Sequence, residues 1–100
     1  MLRDDQVNSA AGAMVTGLQA LGFVAGDPDL GPRFLALSGL DAETLRARAG
    51  DPVLLAAVIE FLQGRESDLV ACADAIGIKP EALVRAGTAL SEGPGAVLSA

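Results

Sequence analysis

The sequence contains no histidine, no tryptophan and no tyrosine, and only one cysteine and one lysine. Each shortage excludes something. Without histidine there is no Ser-His-Asp or Cys-His nucleophile, no imidazole proton shuttle and no histidine metal ligand. A single cysteine, Cys72, rules out an internal disulfide. With no histidine beside it, a structural zinc site is ruled out as well. Three phenylalanines are the whole aromatic content, so the aromatic anchors that dominate tight interfaces are scarce.

What is present describes a small folded chain. The 100 residues suit one domain. At this length folding hides roughly two-thirds of the surface the unfolded chain exposes. Apolar residues make up 51% and glycine a further 12 residues, a composition that can fill a core and argues against disorder. The formal net charge is -6. The basic residues Arg3, Arg33, Arg46, Arg48, Arg65, Lys79 and Arg85 are scattered, so no nucleic-acid and no membrane partner is expected. The lone cysteine fits a reducing compartment, and a cytoplasmic location is expected. Residues 6–26 carry no charge. They also hold Gln6, Asn8, Ser9, Thr16, Gln19 and four glycines, and Asp4 and Asp5 stand where a signal peptide needs positive charge. A buried helix is expected there rather than a membrane span.

Along the chain, residues 1–8 read as a flexible leader. Ser9 caps a first helix to about residue 25, with Met14, Leu18, Leu21 and Ala25 on one face and Val15 beside them. Its glycines suggest a close helix approach or a kink. The tetrad Ala-Gly-Asp-Pro occurs at 25–28 and again at 49–52. In both, glycine stops a helix at C′, aspartate caps the next, and proline opens it. Pro32 predicts a distorted start to the second helix, regular only over 32–38. Gly39 closes it and Leu40 packs back. Asp41 caps a short third helix through Glu43, Leu45 and Arg48. The fourth, over 52–63, is apolar on nearly every face and should be central. Ser67 is expected to cap the fifth, with Leu69, Cys72, Ala73 and Ile76 inward, Asp68 and Asp74 outward, and Gly77 as its stop. The sixth covers 80–90, with Leu83, Val84, Gly87 and Leu90 on one face. Glu92-Gly93-Pro94-Gly95 should stop any helix and leave 92–100 as a disordered tail. No segment alternates like a strand. The fold expected is all-α: a compact irregular or orthogonal bundle of five to six short helices over residues 9–91.

Several segments together resemble a known family. They are L-Q-A-L-G-F-V-A-G-D-P-D-L-G-P-R-F-L-A-L-S-G-L-D over 18–41, L-R-A-R-A-G-D-P over 45–52, V-I-E-F-L over 58–62 and A-D-A-I-G-I-K-P-E-A-L over 73–83. The family comprises short alphaproteobacterial proteins catalogued as domain of unknown function 3572. Pro32 departs from its pattern, in which a helix-former follows the Asp-Pro pair. The resemblance implies a small helical domain and brings no activity, cofactor or catalytic residue.

Candidate chemistry is thin. Cys72 lies mid-helix on the apolar stripe with Asp68 four residues before it, and reads as a small core residue. The carboxylate pairs Asp27 with Asp29 and Asp41 with Glu43 sit at helix starts, where capping accounts for them. Arg46 and Arg48, with Arg33, are candidates for a phosphate or carboxylate, but two arginines two apart on a helix point about 200° apart. No phosphate-binding glycine motif is present. The turns around Gly39 and Gly77 lack the second glycine of a DNA-binding helical hairpin. Ser67 stands in Glu-Ser-Asp-Leu, not in the Asp-Ser-Leu of an acyl carrier. No catalytic, cofactor or metal residues are therefore assigned, and no cofactor is expected. The expected function is a non-catalytic protein-interaction module or homo-oligomer, because the first and fourth helices carry more apolar surface than one packed face uses. The alternatives are a small-molecule binder or unrecognised enzyme with an apolar cleft between helices and, more weakly, a nucleic-acid-associated regulator.

Overall fold

A computed structural model describes the backbone of residues 9–99 and, apart from Ala10, the side chains of residues 9–92. The leader expected over 1–8 lies outside the described residues. Within them the chain forms six α-helices and no strand: α1 Ala10–Gly26, α2 Leu30–Ser38, α3 Ala42–Ala47, α4 Pro52–Gln63, α5 Glu66–Ile76 and α6 Pro80–Ser99.

The boundaries follow from local chemistry. The Ser9 hydroxyl accepts from the Gly12 N–H at 2.9 Å and opens α1. Asp41 accepts from Thr44 N–H at 2.7 Å and Asp51 from Val53 N–H at 2.9 Å, opening α3 and α4. Gly39 and Gly77 take left-handed backbone at φ 77° and 82° and stop α2 and α5, where a side chain would be strained. Ile78 N–H then bonds back to the Ala73 carbonyl, and the Ile78 side chain is buried.

Several local expectations are corrected. The glycines of the two Ala-Gly-Asp-Pro tetrads, Gly26 and Gly50, do not take left-handed backbone. Gly26 is the last residue of α1, and Asp27 folds its carboxylate onto the N–H groups of Asp29 and Leu30. This tight turn delays α2 to Leu30, so Pro32 falls in the first turn, where a helix N–H has no partner within the helix. Its missing donor therefore distorts nothing. In α5, Arg65 rather than Ser67 stands at the cap, and its side chain makes no capping bond. Asp68 turns towards α2, and its carboxylate lies 3.7 Å from Arg33. Finally, α6 does not stop at Glu92-Gly93-Pro94-Gly95 but continues to Ser99. A proline near the end of a helix removes one hydrogen bond without ending the run.

The centre is shared by three helices. α4 and α6 pack most extensively on each other, and both pack on α1; α5 closes over α1, α4 and α6, and α2 leans on α1. Leu55, Val58, Ile59 and Leu62 of α4 are fully buried, as are Leu83 and Ala86 of α6. Phe34 meets Phe61 edge-on with centroids 5.3 Å apart, and the Arg33 guanidinium lies 5.4 Å from the Phe61 ring centre. The inward face of α1 is only partly the one the sequence pattern predicts: Leu21 is buried and Met14 packs against the core. Ala13, Thr16, Gly17, Ala20, Leu21 and Val24 point in, while Val15, Leu18 and Ala25 are exposed. Small residues face inward because α4 and α6 approach too closely for a second leucine layer. A Cβ on Gly17 would stand 2.9 Å from both the Leu55 Cβ and the Leu90 Cδ1.

The capping aspartates make stability depend on acid. Hydrogen bonds from the N–H groups of Leu30 and Asp29 hold the Asp27 carboxyl below its ordinary 3.8, and the Thr44 N–H does the same for Asp41. Asp51 is lowered chiefly by the Arg48 guanidinium at 2.8 Å and then by the Val53 N–H. A depressed folded-state pKa contributes stability that is full above the unfolded value and lost as pH falls through the folded one. Urea midpoints are therefore expected to hold steady from neutral pH to about 5 and to drop below about 4. The triple variant Asp27→Asn, Asp41→Asn, Asp51→Asn keeps capping side chains without the titration and should flatten that drop. An unchanged acid profile in the triple variant would remove these caps as its cause.

Candidate functional site

The residues singled out by sequence are mostly engaged in structure. Burial pushes the Cys72 thiol up to about 11, so almost no thiolate exists at neutral pH. Asp41 caps α3, Asp27 accepts from the first N–H of α2 at Leu30, and Asp29, the N-cap residue of α2, pairs with Arg33 at 3.2 Å. Arg33 also approaches Asp68, Arg65 lies 4.0 Å from Asp68, and Arg48 holds Asp51 at 2.8 Å. Arg46 and Arg48 are not brought together as a fork. Arg48 turns to the start of α4, while Arg46 borders a cavity. Ser67 is an exposed residue inside α5. Among the described residues no three acidic or cysteine groups gather as a metal site, and no helix is long and apolar enough to cross a membrane.

Two surfaces whose residues the sequence did not specify remain. The first is a half-open cleft of about 320 Å³ between α1, α2 and α3. Leu21, Val24 and Ala25 come from α1, and Gly31, Pro32 and Leu35 from α2. Ala42, Leu45 and Arg46 of α3 and Ala49 just beyond it complete the wall. The space exists because small residues at 25, 31, 42 and 49 alternate with leucines that do not meet across it. Leu45 is the one buried residue of the six-residue α3, so this short helix stands off from α1. Arg46 is the only charged residue in the described lining. A smaller cavity of about 190 Å³ lies between α4 and α6, beside Glu60, Gln63, Thr88 and Ser91. The Thr88 and Ser91 hydroxyls there donate to carbonyls of their own helix.

The second surface is the outer face of α1. Ala11, Val15, Leu18, Gly22 and Ala25 are all exposed, Val15 by 51% and Leu18 by 44%. Their spacing of four, three, four and three is that of a coiled-coil seam. α1 has no charged residue, whereas each of the other five helices has at least one.

Beside this geometry stand the comparisons with known proteins. The family described as "Protein of unknown function (DUF3572)" matches residues 10–93. The chain belongs to this family. The match spans all of α1 to α5 and most of α6, so both surfaces of this DUF3572 chain lie inside the family domain. No curated protein and no solved structure matches the chain. Family membership accordingly places the described surfaces of the DUF3572 chain within one family domain.

Proposed function

We propose that this protein is a non-catalytic interaction module that pairs with a second copy of itself through the outer face of α1. The observation that carries this is the uncharged exposed seam of Ala11, Val15, Leu18, Gly22 and Ala25. A chain of net charge -6 repels its own copy wherever acidic faces meet. Symmetric pairing along α1 sets an uncharged face against itself and avoids that repulsion.

Gly22 supports the same reading. Glycine inside a helix is less favourable than alanine by up to about 1 kcal/mol. Nothing among the described residues requires it, because a Cβ at Gly22 would meet no heavy atom within 4 Å beyond its own helix backbone. A small residue on a seam does have a use: it lets a second helix come close. The shortage of aromatic anchors points to a weak pair rather than a tight one.

Sedimentation from micromolar to near-millimolar concentration tests the proposal. The mass should rise with concentration towards twice that of the monomer, and Leu18→Glu should hold it at the monomer value. A wild-type chain that stays monomeric throughout, or a Leu18→Glu chain that associates as well as wild type, rules out self-pairing on this face.

A further inference from the structure

We propose that the cleft between α1, α2 and α3 binds an aliphatic carboxylate of about eight to ten carbons, its chain among the leucines and its head group on Arg46. An apolar cavity of about 150 Å³ holds a benzene molecule. A cleft of about 320 Å³ therefore takes a chain of this length with its polar end in water. Leu21, Leu35 and Leu45 supply apolar walls, and Ala25 and Ala42 leave the room between them.

The head group follows from charge. Arg46 is exposed, so it stands at the mouth of the cleft rather than in its depth. Arg33, Arg48 and Arg65 each lie within 4.0 Å of a carboxylate. Arg46 has no such partner among the described residues, and no acidic residue lines the cleft with it. A guanidinium presents a planar fork that a carboxylate fills with two parallel hydrogen bonds. Arg46 also lies in the last turn of α3, where any cation complements the helix dipole. A lysine would serve that purpose equally, and the test uses this difference.

The test is an amide-resolved NMR titration of the full chain with sodium octanoate and sodium decanoate below their micelle concentrations. Saturable shifts are expected at residues lining the cleft, with a dissociation constant of roughly 0.1–1 mM. Arg46→Gln should weaken decanoate binding roughly threefold to tenfold. Arg46→Lys should weaken it less but measurably, and 1-octanol should bind both variants as it binds wild type. Ala42→Leu, which fills the cleft, should abolish the shifts while the rest of its spectrum confirms the fold. Phosphatidylcholine vesicles, with the same chains but no free carboxylate, should leave the spectrum unchanged. Absence of saturation, equal decanoate affinity in Arg46→Gln, or shifts confined to the outer face of α1 would overturn the assignment. The cleft meets the pairing face only at Ala25, and Arg46 lies outside that face, so Arg46→Gln should sediment as wild type does.

Discussion

Leu55→Ala is expected to lower the unfolding free energy by about 2–5 kcal/mol. Leu55 is fully buried near the start of α4 and faces α1 at the point where Gly17 brings the two helices together. The surrounding helices are already close and cannot collapse much further, so the lost side chain leaves a cavity as well as lost contacts. For a domain of ordinary stability, about 5–15 kcal/mol, that is a large share. Urea denaturation followed by helical circular dichroism measures it. With a slope of about 1–3 kcal/mol per molar urea, the midpoint should fall by about 0.7 M or more. Val53→Ala is the control on the same helix: Val53 is 66% exposed, and the change should stay within about 0.5 kcal/mol. If the two variants differ little, α4 does not sit in the core as described.

The second large effect reverses the usual sign of a substitution. Alanine normally stabilises a helix relative to glycine by about 1 kcal/mol. At Gly17 and Gly87 the opposite is expected, a loss of about 1–3 kcal/mol each. A Cβ at Gly87 would stand 2.8 Å from the Ile59 Cγ2 and 3.2 Å from its Cβ. A Cβ at Gly17 would press on the Leu55 Cβ, an atom that cannot swing away as the tip of Leu90 can. Both contacts hold α4 against its neighbours, one through α1 and one through α6. Gly22→Ala, in the same helix as Gly17, should behave normally and raise stability by up to about 1 kcal/mol. Equal gains at all three positions in the same urea experiment would mean that the helices are farther apart than the structure places them.

These two sets of variants also mark where sequence patterning loses its reach. The spread of apolar residues over α4 announces burial, and burial is what Leu55, Val58, Ile59 and Leu62 show. α1 offers two apolar faces. Pattern alone favours the one with Met14, Leu18 and Leu21, because leucines usually face inward. The choice was made by the neighbours: a helix packed on both α4 and α6 needs its small residues inside, and Leu18 is left in water. The glycines at 12, 17 and 22 carried a signal of close approach, but not which of them makes contact. Gly17 does, and Gly22 does not.

The two surfaces were legible to different degrees. A surplus of apolar residues in the first and fourth helices suggests an exposed patch; on α1 Val15 and Leu18 are exposed, whereas α4 buries most of its apolar side chains and exposes Val53. An apolar cleft between helices is among the readings the sequence allows, but its place and lining are not, because it arises from three short elements that fail to meet. Leu21, Leu35 and Leu45 are 14 and 10 residues apart in sequence, and no periodicity links them. Arg46 and Arg48 look alike in the chain. They are told apart only by Asp51, which engages one and leaves the other at the cleft mouth.

The sequence by itself determined the helical class, most helix boundaries and the lack of any histidine or cysteine pair in these 100 residues. These depend on local causes: capping side chains, left-handed glycines, apolar spacing and missing residue types. Tertiary structure alone decided which face of α1 is buried, where Asp68 points and where the cleft opens. Those outcomes depend on how closely helices distant in sequence approach each other, and that distance is set by side-chain volumes summed across the whole core.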